Sequence, residues 1–241
     1  MKKIVTEIIQ ITDETHDTKT FRVKNDAQMN FIAGQFCLVS QPDHEKFNQL
    51  TRPFTFSSSP AEVNFFEMTI KKMGEFTSAM FELNIDDRLQ ILGPRGESLN
   101  FNESIQEDLV FLAGGSGITP FMSILQYWLA KKLSNKITLL YANRTDQDII
   151  YKEQLNRIAK DHKKFRLIHI LGTASSEIHG EVGRISQKIT ERYVSEPLEK
   201  IWYICGPPPM VEAMKDMLIT MKIPKRNWRV EQWQLPGKNQ K

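Results

Sequence analysis

The sequence predicts two domains of different class: a small all-β barrel or sandwich, followed by an α/β domain built on a parallel sheet. Two observations predict this. Short alternating segments separated by turn residues fill the part before Phe101. After Phe101 the pattern changes to continuous apolar runs, each followed by a segment of helical spacing. A chain of 241 residues has room for two compact domains or one large one.

The β part is read from Phe21-Arg-Val-Lys, Gln35-Phe-Cys-Leu-Val-Ser, Phe65-Phe-Glu-Met-Thr-Ile-Lys and Arg88-Leu-Gln-Ile-Leu, all with apolar residues at spacing two. Ala33-Gly34, Gln41-Pro42-Asp43, Ser59-Pro60, Gly93-Pro94 and Gly96 supply the turns. One helix is predicted inside this region, over 76–83. The α/β part begins with Leu109-Val-Phe-Leu-Ala, a glycine-rich turn and a helix over 120–133. Ile137-Thr-Leu-Leu-Tyr and a helix over 149–160 follow. Phe165-Arg-Leu-Ile-His-Ile-Leu, a segment over 185–191, Lys200-Ile-Trp-Tyr-Ile-Cys and a helix over 209–221 then repeat the rhythm. The boundary is expected between Phe101 and Asp108, giving domains 1–102 and 103–241.

Composition narrows the function. Hydrophobic residues make up 40% and charged residues 25%, the balance of an ordinary globular chain. The net charge of +3, from 32 basic and 29 acidic residues, is too even to argue for nucleic acid. A weak attraction to an acidic electron-carrier protein stays open. Cys37 and Cys205 are the two cysteines, too few for a disulfide framework, a metal cluster or an iron–sulfur centre. The amino-terminal residues do not resemble a signal peptide, and no run approaches the ~20 apolar residues that span a bilayer, so a cytoplasmic location is expected.

Four segments carry candidate chemistry. Arg52-Pro-Phe-Thr-Phe-Ser-Ser-Ser-Pro60 places a planar two-pronged donor suited to phosphate beside an aromatic ring able to cover a flat heterocycle. Alternation puts Arg52 and Phe54 on one side of the strand and Thr55 on the other. Taken alone, an edge strand with an exposed arginine explains this segment better. Met73-Gly-Glu-Phe-Thr-Ser78 enters a helix and leaves backbone N–H groups for an anion, although an ordinary capped helix is the simpler account. Gly114-Gly-Ser-Gly-Ile-Thr-Pro120 lies between a buried strand and a helix, where glycines let a ligand approach the backbone. It is neither a G-x-G-x-x-G fingerprint nor a Walker loop. Cys205-Gly-Pro-Pro-Pro-Met210 follows another strand, so Cys205 either faces the same ligand or packs as a small buried hydrophobe.

In their order and spacing these four segments resemble the ferredoxin–NADP reductase superfamily over nearly the whole chain. The resemblance implies a six-stranded antiparallel barrel holding FAD, followed by a doubly wound parallel α/β domain holding NADH or NADPH. It implies that Arg52 pairs with the FAD pyrophosphate, with Pro53 and Ser58 completing the motif. Phe54 lies on the flavin ring, where most relatives have tyrosine, and Thr55 bonds near flavin N5. Lys71, Gly74, Phe76 and Thr77 serve the pyrophosphate. On the second domain it implies nucleotide binding by Gly115, Gly117 and Thr119, with Cys205, Gly206 and Pro207 beside the nicotinamide. Val230-Glu231-Gln232-Trp233 resembles the family's closing Glu-x-aromatic, which brings Glu231 to the reacting rings and gives Trp233 a choice between cofactor contact and plain packing. Thr55, Cys205 and Glu231 are the catalytic candidates, and no metal is implied.

Nucleotide preference reads two ways. Arg144 suits a 2′-phosphate, whereas Leu171-Gly-Thr-Ala-Ser stands where NADPH-preferring relatives often carry Ser-Arg, which favours NADH. The electron acceptor is expected to be a separate protein: a ferredoxin, a flavodoxin, a haem protein or an oxygenase component. A reductase of free flavin and a non-catalytic flavin- or nucleotide-binding electron-transfer subunit are the alternatives.

Overall fold

A computed structural model of the chain describes residues 2–232. Contacts divide it into two units. The first runs to Ile105 and also includes Thr119–Leu133; the second holds Gln106–Ile118 and the residues from Ser134 onward.

The first unit is the antiparallel barrel. Its strands are β1 (Lys2–Thr15), β2 (Thr18–Lys24), β3 (Phe36–Ser40), β4 (Arg52–Thr55), β5 (Phe65–Lys71) and β6 (Arg88–Arg95), with helix α1 (Glu75–Phe81) between β5 and β6. They pair in the order β4-β3-β6-β1-β2-β5, and a bridge between Phe56 and Met68 ties the two end strands together. The interior is filled by Ile8, Phe21, Val23, Phe56, Phe66, Met68, Leu89 and Ile91, all fully buried. Inward residues of β2 and β5 recur at spacing two, which is the alternation that made them legible.

β1 is the longest strand, and the alternation rule does not find it. Lys2–Glu7 pairs with β6 and Ile8–Thr15 pairs with β2, with a register shift between Ile8 and Gln10. A bulge of this kind switches the inward face partway along, so Ile4, Val5, Ile8, Ile9 and Ile11 fit no single period of two.

The second unit is a six-stranded parallel sheet. Its strands are β7 (Leu109–Gly114), β8 (Ile137–Asn143), β9 (Phe165–Leu171), β10 (Glu181–Val182), β11 (Ile201–Gly206) and β12 (Trp228–Gln232). The connecting helices are α2 (Thr119–Ala130), α3 (Lys152–Asp161), α4 (Gln187–Tyr193) and α5 (Pro208–Thr220). The order β10-β9-β8-β7-β11-β12 reverses direction between β7 and β11. That reversal is the switch point where open α/β sheets bind ligands, outside the carboxyl ends of the strands. Both β7 and β11 are buried along their whole length, as continuous apolar runs require in a covered parallel sheet.

Although only the Gly115–Ile118 turn separates α2 from β7, α2 packs with the barrel. Its Ser123 hydroxyl donates to the Ser58 carbonyl at 2.7 Å, and Gln126 Nε2 donates to the Ser57 carbonyl at 3.5 Å. Among the described residues, no helix is long and apolar enough to cross a membrane.

Candidate cofactor sites

On the barrel, β4 and the start of α1 converge. The Phe54 and Phe76 rings lie at 26° with centroids 6.2 Å apart, and the Arg52 guanidinium carbon sits 5.9 Å from the Phe76 centroid. The structure thus joins the first two sequence motifs at one place. Arg52 donates to the Thr51 carbonyl at 3.0 Å, and no ion pair holds it among the described residues. Pro53 is exposed between them. Thr55, on the buried side of β4, has a hydroxyl with no hydrogen-bond partner. A buried unmade hydrogen bond costs about 1–3 kcal/mol, so a ligand edge that satisfies it has a ready gain.

Gly74 opens α1 with φ 80° and ψ −179°, a conformation essentially reserved for glycine, and no side chain caps the helix. The first N–H groups of α1 therefore have neither a capping side chain nor intrahelical acceptors. Thr77 accepts a hydrogen bond from the Met73 N–H and donates to the Gly74 carbonyl at 3.1 Å. Its hydroxyl fastens this loop. Two other expected contributors are also engaged within the barrel. Ser58 Oγ accepts from the Glu67 N–H at 3.0 Å, and the Lys71 ammonium lies 2.7 Å from the Asp17 carboxylate.

In the second unit, the turn after β7 and the turn after β11 meet. A methyl group on Gly117 would lie 2.3 Å from the Cys205 carbonyl oxygen and 2.7 Å from the Gly206 Cα. A methyl group on Gly206 would lie 3.2 Å from the Gly114 nitrogen, a milder but still close approach. Gly115 differs: its φ is +52° and nothing lies within 4 Å of where its side chain would be. Gly117 and Gly206 thus let the two turns touch, while Gly115 leaves open backbone for a ligand. The Tyr141 hydroxyl donates to the Gly115 carbonyl at 3.1 Å and accepts from the Ile150 N–H at 3.3 Å, which holds the turn in place. Thr119 is buried at the start of α2, Pro207 is exposed before α5, and Arg144 is exposed after β8.

Cys205 is fully buried within β11. Its register partner on β12 is Glu231, so these two sequence candidates stand side by side. Burial pushes the Glu231 carboxyl up to about 7 from the usual 4.5. The folded chain therefore binds this proton more tightly than the unfolded chain does. The contribution of this one group is fully present below about pH 4.5, falls as pH rises, and is lost above about pH 7, reaching at most about 3 kcal/mol. Denaturant titrations across this window are expected to show that fall in the wild type and a flatter profile in Glu231→Gln. An identical slope in both proteins would assign the dependence elsewhere. Trp233 lies outside the described residues.

The residues suit the two groups their motifs imply. A buried unpartnered hydroxyl, a ring pair and an arginine fit a flavin nucleotide; an open glycine turn at the switch point fits a dinucleotide phosphate. Asn143, which the sequence reading passed over, is the residue that geometry adds. It closes β8, and its buried amide has no partner, a property no motif reports.

Comparisons with known proteins agree with this layout. The family model for the oxidoreductase FAD-binding domain matches residues 5–99, and the one for the oxidoreductase NAD-binding domain matches 111–216. NADH-cytochrome b5 reductase 1 of Meyerozyma guilliermondii is 28% identical over 226 residues, covering 90% of this chain and 78% of its own. The ferredoxin reductase of carbazole 1,9a-dioxygenase superposes with a TM-score of 0.82 at 26% identity, covering 96% of this chain and 69% of its own. A ferredoxin NADP+ reductase from Neisseria gonorrhoeae, solved with FAD and NADP, shares the fold with a TM-score of 0.80 at 20% identity, over 97% and 98% of the two chains. With a six-stranded flavin barrel, a switch-point nucleotide sheet and both domain models matched in order, the chain belongs to the ferredoxin–NADP reductase superfamily and is an NAD(P)H-dependent flavoprotein reductase that uses FAD.

Proposed function

We propose that the enzyme keeps FAD as a prosthetic group, prefers NADH, and passes electrons to a separate haem protein of the cytochrome b5 kind. The observation that carries the flavin part is the Thr55 hydroxyl, buried and unpartnered on the strand that also presents Arg52 and Phe54. Bound FAD supplies the redox chemistry, accepting two electrons from the nicotinamide and releasing them singly. The chain's own residues bind and orient. Arg52 and the open N–H groups after Gly74 offset pyrophosphate charge, the Phe54 face covers the ring, and Thr55 supplies a hydrogen bond at its edge. Gly115 receives the dinucleotide, with Gly206 and Pro207 shaping the neighbouring turn. Glu231 holds a proton up to near neutral pH beside that turn.

The preference for NADH rests on charge. Asp146 stands two residues beyond Arg144 in the chain and accepts from the Ser175 hydroxyl at 3.0 Å, and a carboxylate in that turn opposes a 2′-phosphate. The cytochrome acceptor rests on the names of the curated relatives.

Anaerobic mixing of the purified protein with each nucleotide tests the reading. The yellow colour is expected to survive gel filtration, to bleach faster with NADH than with NADPH, and to return when oxidised cytochrome b5 is added. Colour lost on the column would make flavin a substrate; faster bleaching with NADPH would overturn the nucleotide preference. Reduced flavin that cytochrome b5 cannot reoxidise would overturn the acceptor.

A further inference from the structure

On the face of β2 and β5 opposite the barrel core, hydroxyl groups form a continuous buried row. Thr20 and Thr69 are register partners, and their hydroxyl oxygens lie 2.7 Å apart. Ser57, just past β4, brings its hydroxyl within 3.1 Å of Thr69 Oγ1, while its N–H donates to the Glu67 carbonyl at 2.8 Å. At the other end the Thr20 hydroxyl donates to Glu14 Oε1 at 2.6 Å. Ser57, Thr69 and Thr20 are buried, and Glu14 is half-buried. Ion pairs flank the row on both sides: Arg22 with Glu67 at 2.8 Å, and Lys71 with Asp17 at 2.7 Å. All these residues belong to the first unit.

A cross-strand threonine pair is ordinary, but a carboxylate at its end is not required by the sheet. Glu14 is the extra residue of a bulge in β1, between Asp13, paired with Lys19, and Thr15, paired with Thr18. Bulges re-aim side chains, and this one accompanies the contact of Glu14 with Thr20. The carboxylate also sets the direction of the row. A hydroxyl has a single proton to donate, and that of Thr20 goes to Glu14. Thr69 therefore donates to Thr20, and Ser57 to Thr69. Every bond points toward Glu14, and the row begins at the Ser57 oxygen. Phe56 points into the barrel core, so Ser57 shares the opposite face with Thr55, the buried hydroxyl two residues earlier on the flavin strand.

Oxidation of NADH to NAD+ sets free two electrons and one proton, and a haem acceptor takes electrons alone. One proton per NADH therefore has to leave a buried site. We propose that Ser57, Thr69, Thr20 and Glu14 are a relay that carries this proton from the flavin strand to the surface. A proton arriving at Ser57 Oγ moves the Ser57 proton onto Thr69 Oγ1, that of Thr69 onto Thr20 Oγ1, and that of Thr20 onto Glu14 Oε1. Each hydroxyl ends with one proton as it began, no electron moves along the row, and Glu14 passes the extra proton to water. Rotation of the three hydroxyls restores the starting order. This rests on the reading of β4 as the flavin strand.

The test follows the flavin-loaded enzyme by stopped flow, first bleached with one equivalent of NADH and then mixed with ferricyanide, which accepts electrons without protons. A pH-indicator dye in weak buffer reads proton release, and the flavin absorbance reads electron transfer. Thr20→Val keeps the side-chain shape and breaks the row, while Glu14→Gln keeps an acceptor that cannot carry the proton away. Both are expected to slow proton release on the order of 100-fold and to enlarge its solvent deuterium isotope effect. Bleaching by NADH, which transfers a hydride, should keep its wild-type rate, and Thr20→Ser should restore proton release. Ser57→Ala is the further variant should Thr20→Val fail to fold, and it should slow release in the same way. Wild-type proton release in Glu14→Gln together with either hydroxyl variant overturns the relay. Slow release in Thr20→Ser, accompanied by a lowered melting temperature, overturns it too by making the row structural. A wild type that holds no flavin, or that NADH does not bleach, defeats the flavin reading instead.

Discussion

Gly117→Ala is expected to abolish nucleotide binding while leaving the flavin in place. The added methyl would stand 2.3 Å from the Cys205 carbonyl oxygen and 2.5 Å from its carbon. Both belong to backbone inside β11, a strand held on one side by β7 and on the other by β12. No flexible side chain is available to move, so either the turn after β7 is expelled or the end of β11 is pushed out of register. Overpacking against fixed backbone costs about 3 kcal/mol, and the second unit should melt roughly 10 °C lower. The barrel carries none of this contact, so the yellow colour should remain. Gly115→Ala is the comparison. Its side chain meets nothing, and its positive φ alone costs about 1 kcal/mol. Calorimetry and NADH titration of the two variants should therefore separate clearly. A Gly117→Ala enzyme with normal melting and normal affinity for NADH would show that the two turns are free to part.

Thr55→Val is expected to make the flavin-free protein more stable and the enzyme slower. Valine keeps the shape of threonine and removes a hydroxyl that is buried without a partner. Losing that penalty should stabilise the flavin-free chain by about 1 kcal/mol. In the proposed flavin site, the same change removes a preorganised donor at the ring edge. Comparable deletions slow chemistry by roughly 100-fold. Stopped-flow bleaching by NADH reads the rate, and denaturant unfolding of the stripped protein reads the stability. Destabilisation of the stripped protein would mean that Thr55 serves the barrel's own packing, and a wild-type bleaching rate would remove it from the flavin site.

Much of the architecture was legible because the two halves follow different periods. β2 and β5 alternate, and β7 and β11 are apolar throughout, so each kind of sheet announced itself. The strands that escaped did so for physical reasons. β1 changes its inward face at a bulge. β10 has two residues, and β12 is an edge strand whose Arg229 and Glu231 interrupt any apolar run. Within the candidate sites, the motifs located the turns but not the use of each side chain. Ser58 and Thr77 look alike in sequence to Thr55, yet their hydroxyls serve internal bonds and that of Thr55 serves none. Asn143 carried no signal at all, since its property is the absence of a partner.

The return of α2 to the barrel also bears on how such enzymes can be rearranged. A cut after Ile105 would yield a barrel without Ser123 and Gln126, stripping cover from the Ser57 and Ser58 carbonyls just beyond the flavin strand. The two halves are thus interleaved along the chain, and recombination at a single crossover would damage the electron-accepting half even where it left that half's own sequence whole. Exchange of nucleotide modules between relatives of this kind has to carry α2 with the barrel, as a grafted segment rather than a simple tail swap.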